Sequence, residues 1–101
     1  MIMSFEKILQ VFEDILQKDP LYEVVSTSHG YTLLAWEPNR EEWYSAQLLE
    51  TPAVMLSALL NVYSGYLEEK ITQNERDDLT PQEQAEIKSR CRQLREKCLA
   101  D

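Results

Sequence analysis

The chain has 101 residues, 44% of them hydrophobic and 28% charged, with eighteen acidic side chains against ten basic ones and a formal net charge of -8. That length makes one domain, 1–101, and that composition belongs to a packed chain rather than a disordered one. The acidity excludes a body that grips nucleic-acid phosphates or docks on an anionic membrane, since both need clustered Lys and Arg.

Ser4 precedes Phe5, Ile8, Leu9, Phe12, Ile15 and Leu16, which is helical spacing behind a serine N-cap. Lys18-Asp19-Pro20 ends the run, because the residue before a proline is pushed out of helical geometry. Three runs rich in β-branched and aromatic residues follow: Leu21 to Ser28, Tyr31 to Glu37 and Glu42 to Leu49. His29-Gly30 reads as a two-residue hairpin turn, and Pro38-Asn39-Arg40-Glu41 as a second turn. Connections this short predict an antiparallel meander.

Thr51-Pro52 starts a second helix that runs to about Ile71, with a wide apolar face suited to the centre of a small core. Thr72 to Leu79 is a polar, acidic linker. Thr80-Pro81-Gln82-Glu83 is a capping box that opens a third helix to about Leu99. Its apolar residues Ile87, Cys91, Leu94 and Cys98 form a narrow stripe, so this helix should lean on the domain along one seam. The expected fold is α+β: one helix, a three-stranded antiparallel meander, then two helices, with helices packed on one sheet face.

If Ser28 pairs with Tyr31 and Glu37 with Glu42, the two-residue period sorts the strand side chains. Tyr22, Val24, Tyr31, Leu33, Ala35, Tyr44, Ala46 and Leu48 then face the helices. The opposite face carries Glu23, Val25, Thr27, Thr32, Leu34, Trp36, Trp43, Ser45 and Gln47, with Trp36 directly across from Trp43. The apolar patch Val25, Leu34, Trp36 and Trp43 has two readings. It is either a cross-strand pair that steadies the hairpin, covered or not by the third helix, or a surface for a protein partner or a second copy.

Little else in the chain carries chemistry. His29, the only histidine, falls in a predicted turn. Cys91 and Cys98 lie two helical turns apart, too far for a disulfide within one helix, and lack zinc-site spacing. Gly30 and Gly65 form no phosphate loop, and the adjacent carboxylates read as solvated faces. The expectation is therefore no enzyme, no cofactor and no metal. Met1 to Glu6 lacks the pattern of a signal peptide, and the longest apolar stretch, Ala53 to Leu60, is too short to span a bilayer. A reduced, cytosolic protein is the expected setting.

The charge is uneven. Residues 1–87 carry a net of -11 and residues 88–101 a net of +3, the latter from Lys88, Arg90, Arg92, Arg95 and Lys97. Acids concentrate in Glu37, Glu41, Glu42 and Glu50, and again in Glu68, Glu69, Glu75, Asp77 and Asp78. Solubility accounts for such zones, and so would imitation of a phosphate array inside a basic groove of another protein. In element order and charge the whole chain resembles some small anti-CRISPR inhibitors that act as DNA mimics. That resemblance implies an acidic inhibitor of a nucleic-acid enzyme, and it carries over no residue. Through Asp19-Pro20-Leu21-Tyr22-Glu23-Val24-Val25, the Trp36/Trp43 hairpin and the Leu79-Thr80-Pro81-Gln82-Glu83 cap, the chain is also similar to small acidic proteins of bacterial mobile elements and phages.

Overall fold

Ser4 and Asp19 bracket the first helix, α1 (Phe5–Lys18), as the capping chemistry requires. The Ser4 hydroxyl accepts the Lys7 amide at 3.2 Å, satisfying an N–H that the helix itself leaves unpaired. At the other end the Asp19 amide donates to the Ile15 carbonyl, and the Asp19 carboxylate accepts the Leu21 amide at 3.0 Å, turning the chain into the first strand. The computed structural model describes residues 4–19, 21–73, 75 and 78–99.

Strands β1 (Tyr22–Thr27), β2 (Gly30–Glu37) and β3 (Glu42–Leu49) form one antiparallel sheet in the order β1-β2-β3. The first hairpin closes earlier than the sequence suggests. Ser28-His29 makes the turn, Thr27 pairs with Gly30, and Ser26 pairs with Tyr31. Thr27 sets this up: its hydroxyl accepts the His29 amide at 3.1 Å and donates to the Gly30 carbonyl at 2.9 Å. Gly30 takes φ +118°, a conformation that side chains rarely adopt. The shift is two residues in pairing sum, so every β1 side chain keeps its expected face.

The second hairpin carries a larger departure. Glu37 pairs with Glu42 and Trp36 with Trp43 as expected, but Ala35 pairs with Ser45. Tyr44 is the extra residue of a β-bulge. Beyond it β3 is flipped relative to a regular ladder: Ser45, Gln47 and Leu49 pair with the helix-facing Ala35, Leu33 and Tyr31, while Ala46 and Leu48 pair with Leu34 and Thr32 on the opposite face. The expected inward placement of Ala46 and Leu48, and outward placement of Ser45 and Gln47, is therefore corrected. The bulge lets β3 satisfy two demands: it keeps the indoles opposed and delivers Leu49, 1% exposed, into the core just before the next helix.

Helix α2 (Pro52–Thr72) starts on the Thr51 cap, whose hydroxyl accepts the Val54 amide at 3.1 Å, and ends at Gln73 in the left-handed region. It is the central core element. Met55, Leu56, Ala58, Leu59, Leu60 and Val62 are buried with Ile8 and Phe12 of α1, Leu33, Leu49 and Cys98. Helix α3 (Pro81–Leu99) begins on the expected capping box: the Thr80 amide donates to Glu83 at 2.9 Å and the Glu83 amide to the Thr80 hydroxyl at 3.1 Å. Such a cap contributes about 1 kcal/mol. Ile87 and Cys98 are buried while Cys91 and Leu94 are half-buried, and the partners of α3 are α1 and α2. The fold is α+β, with helices on the face of the sheet that carries Tyr22, Val24, Tyr31 and Leu33.

Candidate functional site

The face of the sheet turned away from the core gathers the four residues singled out from the sequence. Val25 pairs with Thr32, Leu34 with Ala46, and Trp36 with Trp43. Val25, Leu34 and Trp36 are half-buried, and Trp43 keeps 43% of its surface exposed. The two indoles meet edge to face, centroids 5.0 Å apart at 73°. That geometry suits the quadrupoles of the rings and steadies the hairpin. Helix α3 lies against α1 and α2 and does not bury Trp43, which stays partly open while lining a hollow of about 430 Å³ with Leu9, Glu13, Leu16 and Gln17 of α1.

The bulge adds residues that periodicity assigned to the interior. Leu48, 43% exposed, and Ala46 join this outer face, and Leu48 comes within van der Waals distance of the position a Gly30 side chain would take. Tyr44 in the bulge is 61% exposed. Among the described residues three of the five large exposed apolar side chains lie on β3, so exposure is concentrated on one strand rather than scattered. A strict two-residue alternation hides this. The signal that reveals it is the adjacent pair Leu48-Leu49 ahead of the Thr51 cap, since only one of two neighbours in a strand can face the core.

On the inner side the same flip leaves a groove of about 530 Å³ between the sheet and α2, lined by Tyr22, Leu33 and Gln47 opposite Ala53, Val54, Ser57, Ala58, Asn61 and Val62. Its polar groups are a phenol, a hydroxyl and two amides, which supply hydrogen bonds but no acid–base pair. Burial pushes the Tyr22 phenol upward, with Tyr44, Asp19 and Glu69 adding to the effect, so it is protonated at neutral pH.

The acidic zone is less coherent than its sequence. Glu68, Glu69, Glu75 and Asp78 are exposed, and Asp77 lies outside the described residues. Glu68 and Asp78 line one hollow of about 320 Å³ between α2 and α3, but Lys88 lines it too. Lys70 sits 5.2 Å from the centre of the Tyr66 ring on the same stretch of α2. Cations therefore interrupt the carboxylates.

His29 is exposed in the turn. Burial pushes both thiols upward, opposed by Arg95 at Cys91 and by Lys7 at Cys98. Raised thiols stay protonated near neutral pH and are poor nucleophiles. Both cysteines are unpaired, and among the described residues no group of three or more His, Cys, Asp or Glu is placed to hold a metal ion. No helix among the described residues is long and apolar enough to cross a membrane.

No protein-family model, curated protein or solved structure matches the chain. The assignment of function therefore rests on the geometry of this sheet and these helices alone.

Proposed function

We propose that the chain is a small non-enzymatic module that binds another protein through the outer face of its sheet, centred on Trp36, Trp43, Leu34 and Val25 and extended by Leu48 and Ala46. The observation that carries this reading is the edge-to-face tryptophan pair at 5.0 Å, with Trp43 43% exposed on the same strand as the exposed Ala46 and Leu48. Tryptophan contributes most at interface centres, where a large rigid ring is desolvated at small entropic cost. Two unpaired thiols suit a reducing compartment such as the cytosol.

Acidic mimicry of DNA is the second reading, supported by Glu68 and Asp78 sharing one hollow. The lysines among those carboxylates weaken it, because a phosphate array is uninterrupted. The two readings separate by salt. A complex built on desolvated apolar surface survives 1 M NaCl, whereas one built on exposed charge loses most of its affinity as screening shortens to about 3 Å. Affinity capture from the native host at 50 mM and 1 M NaCl should retain the same partner at both concentrations. A partner released at high salt, and released by reversing Glu68, Glu69 and Asp78 to Lys, would transfer the function to the acidic zone.

A further inference from the structure

The sheet order leaves β3 with a free edge, and every residue from Glu42 to Leu48 is exposed. The direction of its free peptide groups follows from the ladder. The Trp36 amide donates to the Leu21 carbonyl at 2.8 Å, so Trp36 turns its backbone toward β1. Antiparallel alternation then turns Ala35 and Leu33 toward β3, and their partners Ser45 and Gln47 turn back to meet them. The N–H and C=O of Ala46 and Leu48 are left pointing away from the sheet. Edge strands are ordinarily blunted by a charge or a proline within them. From Trp43 to Leu49 this strand has neither, and its one blunting device is the bulge at Tyr44, which leaves Ser45 to Leu49 regular.

Charge decides what fits there. Glu41 and Glu42 flank one end of β3 and Glu50 the other, all exposed, and the cation at hand is the exposed Arg40, 3.9 Å from Glu42. A second copy added antiparallel about a two-fold axis at Ala46 would set Glu42 opposite Glu50 twice. Like charges directly opposite are destabilising, so the Ala46-centred register is disfavoured. Centring the pair on Gln47, the neighbouring register that keeps Ala46 and Leu48 opposed, would set Glu50 opposite Tyr44 and leave the net charge of -8 on each copy as the repulsion. A strand with Lys or Arg at both ends meets the opposite condition.

We propose that β3 takes a fourth strand from a different protein, an extended segment of alternating apolar residues flanked by Lys or Arg. This rests on the reading of the outer face as a protein-binding surface, and it specifies the partner. Main-chain bonds to Ala46 and Leu48 hold the segment, and alternate side chains reach the Trp43 and Leu48 surface. The bulge at Tyr44 confines the regular part of the edge to Ser45–Leu49.

A random dodecapeptide library displayed on phage, panned on the immobilised chain, tests this. The expected peptides alternate β-branched with polar residues and carry Lys or Arg on both flanks. The best synthetic peptide should bind at least tenfold more weakly to the Ala46→Pro variant, which removes an outward N–H and leaves the β2 ladder intact. Should that variant lose its fold, the Glu42→Lys/Glu50→Lys variant decides: its selected peptides should switch their flanks to Asp or Glu. Peptides indifferent to both variants would overturn the proposal. So would a dimer of the unmodified chain in sedimentation that Ala46→Pro dissolves, since a second copy would then be the occupant. Indole resonances separate the two claims. Peptides that shift the Trp36 and Trp43 signals but ignore both edge variants keep the face and remove the edge. Peptides sensitive to the edge variants with unmoved indoles keep the edge and remove the face.

Discussion

Replacing both Trp36 and Trp43 with alanine should cost the captured complex at least about thirtyfold in affinity while the chain stays folded. The binding part follows from position. Trp43 is 43% exposed in the free chain, on the edge strand beside Trp36, so a partner that covers the outer face desolvates it. A tryptophan in that setting is worth about 2 kcal/mol or more of binding free energy, which is the thirtyfold. The folding part follows from the same exposure. What the chain loses internally is one edge-to-face contact, about 0.5–1.5 kcal/mol, and part of the burial of Trp36. A domain stable by about 5–15 kcal/mol tolerates that. Far-ultraviolet circular dichroism and urea unfolding report the fold, and titration against the partner reports the affinity. Trp43→Ala alone is the milder control, since it leaves the half-buried indole in place. A double variant that unfolds, with a Trp43→Ala variant that binds normally, would make the pair a structural staple and nothing more.

The opposite pattern is expected for Phe12→Ala. Phe12 is 0% exposed and lies in the cluster where α1 meets α2. Removing its ring deletes the transfer free energy of the buried atoms and leaves a cavity that neighbours such as Ile8, Met55 and Leu59 close only in part. The cost is about 3–5 kcal/mol, a large fraction of the stability of any small domain. Urea unfolding should show a sharply lowered midpoint with the slope unchanged. Partner affinity per folded molecule should stay the same, because Phe12 is in the core that faces away from the bare face. A loss below about 1 kcal/mol would mean that α1 does not close the core as described. The two variants together separate what holds the chain together from what it offers to a partner.

Most of the element order was legible because its signals are local. Ser4, Thr51-Pro52 and Thr80 with Glu83 each cap a helix by bonds within three residues, and each bond is present. The Ile87, Cys91, Leu94, Cys98 stripe likewise gave the seam on which α3 leans. Strand faces were legible only as far as the alternation is unbroken. It is unbroken in β1 and β2, so Val25, Leu34 and Trp36 lie where periodicity puts them. In β3 one extra residue, Tyr44, reverses every face beyond it, and the bulge is a compromise between the tryptophan pair and the burial of Leu49. That is a tertiary demand which no short window of sequence contains. For the same reason Leu48 and Ala46 were missed as parts of the outer face. The acidic zone was legible only as carboxylates along the chain, and such a run does not show Lys88 lining the same hollow as Glu68 and Asp78.

Hydroxyl-radical footprinting of the chain, free and bound to its captured partner, tests the central claim most directly, because it reads side-chain cover residue by residue. Trp43 and Leu48 should be oxidised readily in the free chain and protected severalfold in the complex, with Leu79, which lines the acidic hollow, unchanged. Unchanged oxidation of Trp43 and Leu48, with protection at Leu79, would contradict the assignment of the outer sheet face as the binding surface.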